Sequence, residues 1–151
     1  MIVNPLISQE SETLGGATHQ VVLSHEDLTE TTANTAQTIN VLTVGLGSLV
    51  KCVAVRMVED FEDASDSAFN TTTMTAGDGG SATRFLASME LNVNGTEVDF
   101  KAGVDTFYGY TSADTVDVFV NSMTGKSLSN IDAGEVHLYF AVKEFPARAL
   151  T

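Results

Sequence analysis

Asp78-Gly79-Gly80-Ser81-Ala82-Thr83-Arg84-Phe85-Leu86-Ala87-Ser88-Met89-Glu90-Leu91-Asn92-Val93-Asn94-Gly95-Thr96-Glu97-Val98 carries the most specific local instructions in the chain. A glycine-rich turn opens it, and apolar and polar residues alternate from Met89 to Val93. The pattern reverses at Asn94-Gly95 and runs out through Thr96 to Phe100. Asn-Gly between alternating runs specifies a hairpin, because both central residues of a type I′ turn need positive φ. Within the stretch, Ser81 to Ser88 reads either as a strand or as one or two helical turns started at Ser81. The absence of a breaker before Met89 favours a strand beginning near Arg84.

The same grammar extends in both directions. Upstream, Gln20 to Ser24 is a short apolar run, and Gln37 to Val44 alternates. The Gly45-Leu46-Gly47-Ser48 turn leads into Leu49 to Val58, the longest β-branched run. Alternation places Val53, Val55 and Met57 on one side of it and Cys52, Ala54, Arg56 and Val58 on the other. A strand apolar on both faces belongs at the centre of a sheet with both sides covered. Glu59 to Ser67 is the densest acidic segment and reads as a solvated loop. Its spacing lacks the glycine that an EF-hand calcium loop needs. Asn70 to Thr75 is a threonine-rich strand, followed by a broad turn over Ala76 to Gly80.

Downstream, Thr106 to Thr111 is a short aromatic strand. Thr115 to Asn121 is a strand with Val116, Val118 and Val120 facing the core, and Leu128 to Asp132 is one helical turn. Glu135 to Lys143 is the clearest strand, with Val136, Leu138, Phe140 and Val142 on one face; Pro146 follows it. The sum is about eight strands separated by glycine-rich and polar turns, without a long amphipathic helix. This predicts an all-β fold: an antiparallel β-sandwich, jelly-roll-like.

The 151 residues are expected to form an N-terminal arm, residues 1–17, and a single β-sandwich domain, residues 18–151. A chain of this size buries enough surface to need no covalent staple. The single cysteine, Cys52, lies in an apolar run and reads as a buried, inert thiol. A net charge of −13, from 20 acidic and 7 basic residues, argues against nucleic-acid binding. No apolar run approaches the ~20 residues of a membrane helix, and Met1 to Pro5 does not resemble a secretory signal.

The search for chemistry returns no catalytic, cofactor or metal residues. His19, His25 and His137 have no metal-ligand spacing, and alternation puts His137 on the non-core face of the last strand. There is no G-x-S-x-G elbow. Gly77-Asp78-Gly79-Gly80 lacks the G-K-[ST] of a phosphate loop and reads as a turn. An enzyme is not expected.

Gly77 to Leu86, Asn94 to Val98, Tyr110 to Asp117 and Asp132 to Val136 together resemble small virion structural proteins of tailed bacteriophages. Among these the chain most resembles capsid decoration, or cement, proteins, over roughly residues 40–143. The resemblance implies a homotrimer on the outer surface of the head, made in the host cytoplasm, that bridges and stabilises major capsid proteins. The expected partners are then the major capsid protein and the chain itself, with neither nucleic acid nor membrane. Ile2, Val3, Leu6 and Ile7 of the arm are the capsid-contact candidates. Phe119, Tyr139 and Ala141, off the core face of their strands, are the trimer-interface candidates. Two other readings stay open: another phage structural role, at a tail or head-fibre base, and a carbohydrate-binding β-sandwich.

Overall fold

A computed structural model describes residues 1–92 and 100–145. The described residues form ten strands and one short helix: Ile2–Pro5 (β1), Ser8–Thr13 (α1), His19–Ser24 (β2), Gln37–Val44 (β3), Ser48–Glu62 (β4), Thr72–Asp78 (β5), Ser81–Glu90 (β6), Phe100–Ala102 (β7), Tyr108–Gly109 (β8), Asp114–Ser122 (β9) and Ala133–Glu144 (β10). Single 3₁₀ turns occupy His25–Asp27 and Leu128–Asn130. The Asn94-Gly95 reversal lies outside the described residues. Its flanks are the end of β6 and the start of β7.

Two antiparallel sheets result. One has the order β1-β2-β10-β4-β7, with β8 also pairing β4; the other is β3-β9-β5-β6. With the short β1 and β8 set aside, eight strands remain. In chain order the first sheet reads first, eighth, third, sixth, and the second reads second, seventh, fourth, fifth. This is the order of a jelly roll, and it makes β10 and β4 the inner strands of one sheet and β9 and β5 those of the other. The expected antiparallel, jelly-roll-like sandwich is the observed fold, and Ser81–Glu90 is a strand.

The core forms where the two inner faces meet. β10 contributes Val136, Leu138 and Phe140, β9 contributes Val116, Val118 and Val120, and β6 contributes Phe85, Leu86 and Met89, all fully buried. Phe85 and Phe140 meet edge to face across the sheets, with centroids 6.3 Å apart at 89°, the arrangement that the ring quadrupoles favour.

β4 departs from simple alternation in two places. The pairing with β10 slips between Tyr139, opposite Ala54, and Phe140, opposite Cys52. This bulge puts one extra residue in β4 and reverses the facing of everything beyond it. Cys52 therefore joins Val55 and Met57 in the main core, whereas Val53 and Ala54 face outward. β4 also runs through Glu59-Asp60-Phe61-Glu62, which charge density alone marks as loop. Phe61 is fully buried and anchors that extension, and the Asp132 N–H donates to the Glu62 carbonyl at 3.0 Å. β5 likewise continues to Asp78, so only Gly79 and Gly80 separate it from β6. Gly77 is required there: a Cβ would sit 1.9 Å from the Ser81 carbonyl oxygen.

The N-terminal segment first adds an edge strand to the first sheet and then packs on that sheet's outer face. β1 pairs with β2 from Ile2 opposite Val22 to Pro5 opposite His19. At the start of α1, the Glu10 carboxylate accepts a hydrogen bond from the Ile7 N–H at 3.0 Å, satisfying an N–H at the helix entrance. After α1, Gly15 and Gly16 return the chain to β2, and Leu6 and Leu14 settle on a small cluster of Ala17, Ala54 and Tyr139.

Candidate functional site

Two surfaces hold the side chains that a binding role would use. The first is the outer face of the sheet containing β10 and β4. Its register sets one row across the strands as Val22, His137, Arg56 and Phe100, and the next as Gln20, Tyr139, Ala54 and Ala102. A polar chain fastens one side: the Asn4 amide donates to Gln20 Oε1 at 3.4 Å, and Gln20 Nε2 reaches His137 Nδ1 at 3.1 Å and Tyr139 Oη at 3.2 Å. His137 Nε2 completes it against Glu135 Oε1 at 2.7 Å. The other side is apolar. There Leu14, Val53, Ala54, Phe100 and Tyr139, together with Thr13, Gly15 and Arg56, line a hollow of about 340 Å³.

The capsid-contact candidates divide on this face. Ile2 and Ile7 are 59% and 64% exposed, whereas Val3 packs on the core and Leu6 on the Ala17-Ala54-Tyr139 cluster. The trimer-interface candidates are not brought together. Phe119 is half-buried on β9 in the second sheet, while Tyr139 and Ala141 are buried on β10 in the first. The N-terminal segment covers Tyr139 within the same chain.

The second surface is the end of the sandwich where the β3–β4, β5–β6 and β8–β9 connections meet the end of β10. Leu46 and Phe145 are exposed there, and Tyr108 is partly so. Beneath them Asp78, 2% exposed, is fully engaged. One oxygen accepts the Gly80 and Ser81 N–H groups at 3.0 and 2.9 Å. The other accepts the Tyr110 hydroxyl at 3.0 Å and lies 2.6 Å from Arg84 Nε. The Arg84 guanidinium stacks 3.6 Å from the Tyr108 ring centroid, and Tyr108 meets Tyr110 edge to face. Burial raises the Asp78 pKa, but Arg84, Tyr110 and the two turn N–H groups outweigh it and hold the carboxyl below its usual range. Burial, and then the hydrogen bond to Asp78, push the Tyr110 phenol up, so it remains a donor. The cluster thus ties the β5–β6 tip of one sheet to β8 of the other.

At the opposite end, Glu59, Asp60, Glu62, Asp63, Asp66 and Asp132 concentrate negative charge around the end of β4. Asp66 pairs with Lys126 and is held low by it. Among the described residues, no group of three or more His, Cys, Asp or Glu side chains is placed to hold a metal ion, and no helix is long and apolar enough to cross a membrane. Cys52 is buried as expected, and burial pushes its thiol up to about 12. It should resist a disulfide reagent in the native protein and react with one equivalent after unfolding; fast native labelling would refute this placement.

Arg56, Phe100 and Phe145 are the surface residues that the sequence did not single out. Only the pairing of β7 with β4 places Phe100 beside Arg56.

No protein-family model matches the chain. None of the curated proteins matches it in sequence. Among solved structures, a chain of the cyanophage Pam1 capsid asymmetric unit superimposes with a TM-score of 0.52. The chain shares its fold with that capsid chain. Identity is 19%, and the alignment covers 84% of this chain and 81% of the other. A chain from the acidic stable capsid structure of Helicobacter pylori bacteriophage KHP30 aligns at 17% identity with a TM-score of 0.46. That alignment covers 83% of this chain and 94% of the other.

Proposed function

We propose that this protein is a structural component of a phage virion, and within the virion a capsid decoration protein. In this reading it assembles as a homotrimer on the outer surface of a tailed-phage head and bridges neighbouring major capsid proteins. The observation that carries the reading is the jelly roll shared with a chain of a phage capsid asymmetric unit, over more than four-fifths of each chain. The resemblance of the Gly77–Leu86, Tyr110–Asp117 and Asp132–Val136 segments to cement proteins agrees with it. The role is mechanical, and no reaction is assigned to it. A rigid two-sheet body carries apolar side chains on its exterior, and burying them against the shell supplies adhesion.

Of the four candidates in the N-terminal segment, Ile2 and Ile7 are available for that contact, because Val3 and Leu6 already pack within the chain. Replacing both by aspartate is expected to lower head occupancy more than about tenfold, from lost burial of roughly 1.5–3 kcal/mol per side chain. The fold should persist, since both side chains face solvent. Occupancy is read by densitometry of purified heads and by electron microscopy of the particles. Unchanged occupancy with an intact fold would remove these residues from the contact. Failure of the wild-type protein to bind heads at all would remove the decoration role.

A further inference from the structure

We propose that the apolar hollow on the outer face of the first sheet receives Glu144 and Phe145, where β10 ends, of a second copy of the chain. This rests on the reading that the protein self-associates, and it names the contact that does so. The hollow suits an apolar group beside a carboxylate: its apolar lining is Leu14, Val53, Ala54, Phe100 and Tyr139, and among the described residues that line it Arg56 is the one charged side chain, with Glu10 on the far side of Thr13 and Leu14. Arg56 is exposed, and among the described residues it makes no ion pair. By contrast, Lys51 holds Asp105, Arg84 holds Asp78 and Lys126 holds Asp66. In a chain with 20 acidic and 7 basic residues, a cation left unpaired at an apolar rim is complementary to an incoming carboxylate.

The chain supplies the matching knob at the end of β10. The Phe145 ring is 56% exposed, yet its backbone is fixed. Its N–H donates to the Gly47 carbonyl at 3.3 Å, and the Gly47 N–H donates to the Tyr110 carbonyl at 2.8 Å. Gly47 has φ of +87°, and a Cβ there would lie 2.6 Å from the Phe145 oxygen, so the turn and the strand end are moulded to each other. An exposed aromatic on a pinned backbone loses little conformational freedom when it docks. Glu144 precedes it, and Leu46 extends the apolar surface beside it.

Other exposed apolar residues beside an acid fit less well. Val104 precedes Asp105, whose carboxylate Lys51 already holds at 2.7 Å. Val58 lies on β4 two residues from Arg56 and so belongs to the surroundings of the hollow. Hollow and knob occupy different surfaces of one chain, because the hollow lies midway along β4 whereas Phe145 lies beyond Ser48, at the start of that strand. The contact is therefore heterologous, and repeated about a threefold axis it closes a ring.

Sedimentation equilibrium on the full chain tests this with Phe145→Ser, Arg56→Glu, Glu144→Arg and the Arg56→Glu/Glu144→Arg swap. Circular dichroism checks that each exposed-site variant folds. Each single variant is expected to associate about tenfold or more weakly than wild type, and the swap is expected to restore association. Unchanged oligomers in the single variants would overturn the contact while leaving self-association intact. A swap that fails to restore association would overturn the Arg56–Glu144 pairing. Variants that stay oligomeric but lose binding to heads would give the hollow to the shell protein and overturn the second-copy assignment. A monomeric wild-type protein would overturn the self-association reading itself.

Discussion

Phe140→Ala is expected to lower the unfolding free energy by about 3–5 kcal/mol, the range for deleting a large buried aromatic. Phe140 is fully buried on β10, the strand held between β2 and β4, and its ring packs edge-on against Phe85 of the opposing sheet. Truncation removes apolar burial and leaves a cavity between sheets that cannot both relax toward it, since each is anchored on its own ladder. A domain of ordinary stability has only about 5–15 kcal/mol in total, so the variant should unfold at markedly lower urea concentration. Phe119→Ala is the comparison: that side chain is half-buried on the outward side of β9 and should cost clearly less. Equal losses at the two positions would mean that the interface between the sheets is not the principal core.

The strands most legible in the sequence are those whose faces differ most. In β10, Val136, Leu138 and Phe140 alternate with His137 and Tyr139, and a period of two reads directly as one buried face. β9 is legible for the same reason. The acidic end of β4 reads as a loop because charge outweighs periodicity: Glu59, Asp60 and Glu62 suggest solvent, while the fully buried Phe61 among them carries the strand signal. The inward turn of Cys52 was not legible at all. A bulge depends on where the partner strand places its own residues, and only the slip at Tyr139 and Phe140 reveals it. The hollow is hidden more deeply, since Leu14, Val53, Phe100 and Tyr139 come from four separate elements that the jelly-roll order assembles. The covering of Tyr139 is not legible because nothing in residues 1–17 alone specifies which strand β1 will join. A face apolar by alternation is thereby partly closed within the chain, and Arg56, Phe100, Ile2 and Ile7 are left exposed around it.

Asp78→Ala is expected to cost about 3 kcal/mol, because removing the buried carboxylate leaves several hydrogen-bond donors without an acceptor. Arg84 would lose its counter-charge, the Tyr110 hydroxyl its acceptor, and the Gly80 and Ser81 N–H groups theirs, all at the junction between the sheets. Asp78→Asn keeps the shape and an acceptor oxygen but removes the charge, so it separates packing from electrostatics. The two variants should also differ from wild type in their response to acid. Because the folded protein holds the Asp78 pKa below its unfolded value, the unfolded chain takes up the proton first as pH falls. The contribution is therefore complete above the unfolded value of about 3.9 and is lost as pH falls from there through the lower folded value. Asp66 and Asp105, held low by Lys126 and Lys51, add a similar dependence in wild type and variants alike. The difference between wild type and Asp78→Asn thus isolates Asp78. Urea unfolding between pH 6 and 2, on the order of the carboxylate range, should give a shallower loss of stability in Asp78→Asn. Parallel pH curves would show that Arg84 and Tyr110 do not hold the carboxylate, and the link from the β5–β6 tip to β8 would then rest on the stacking of Arg84 over Tyr108 alone.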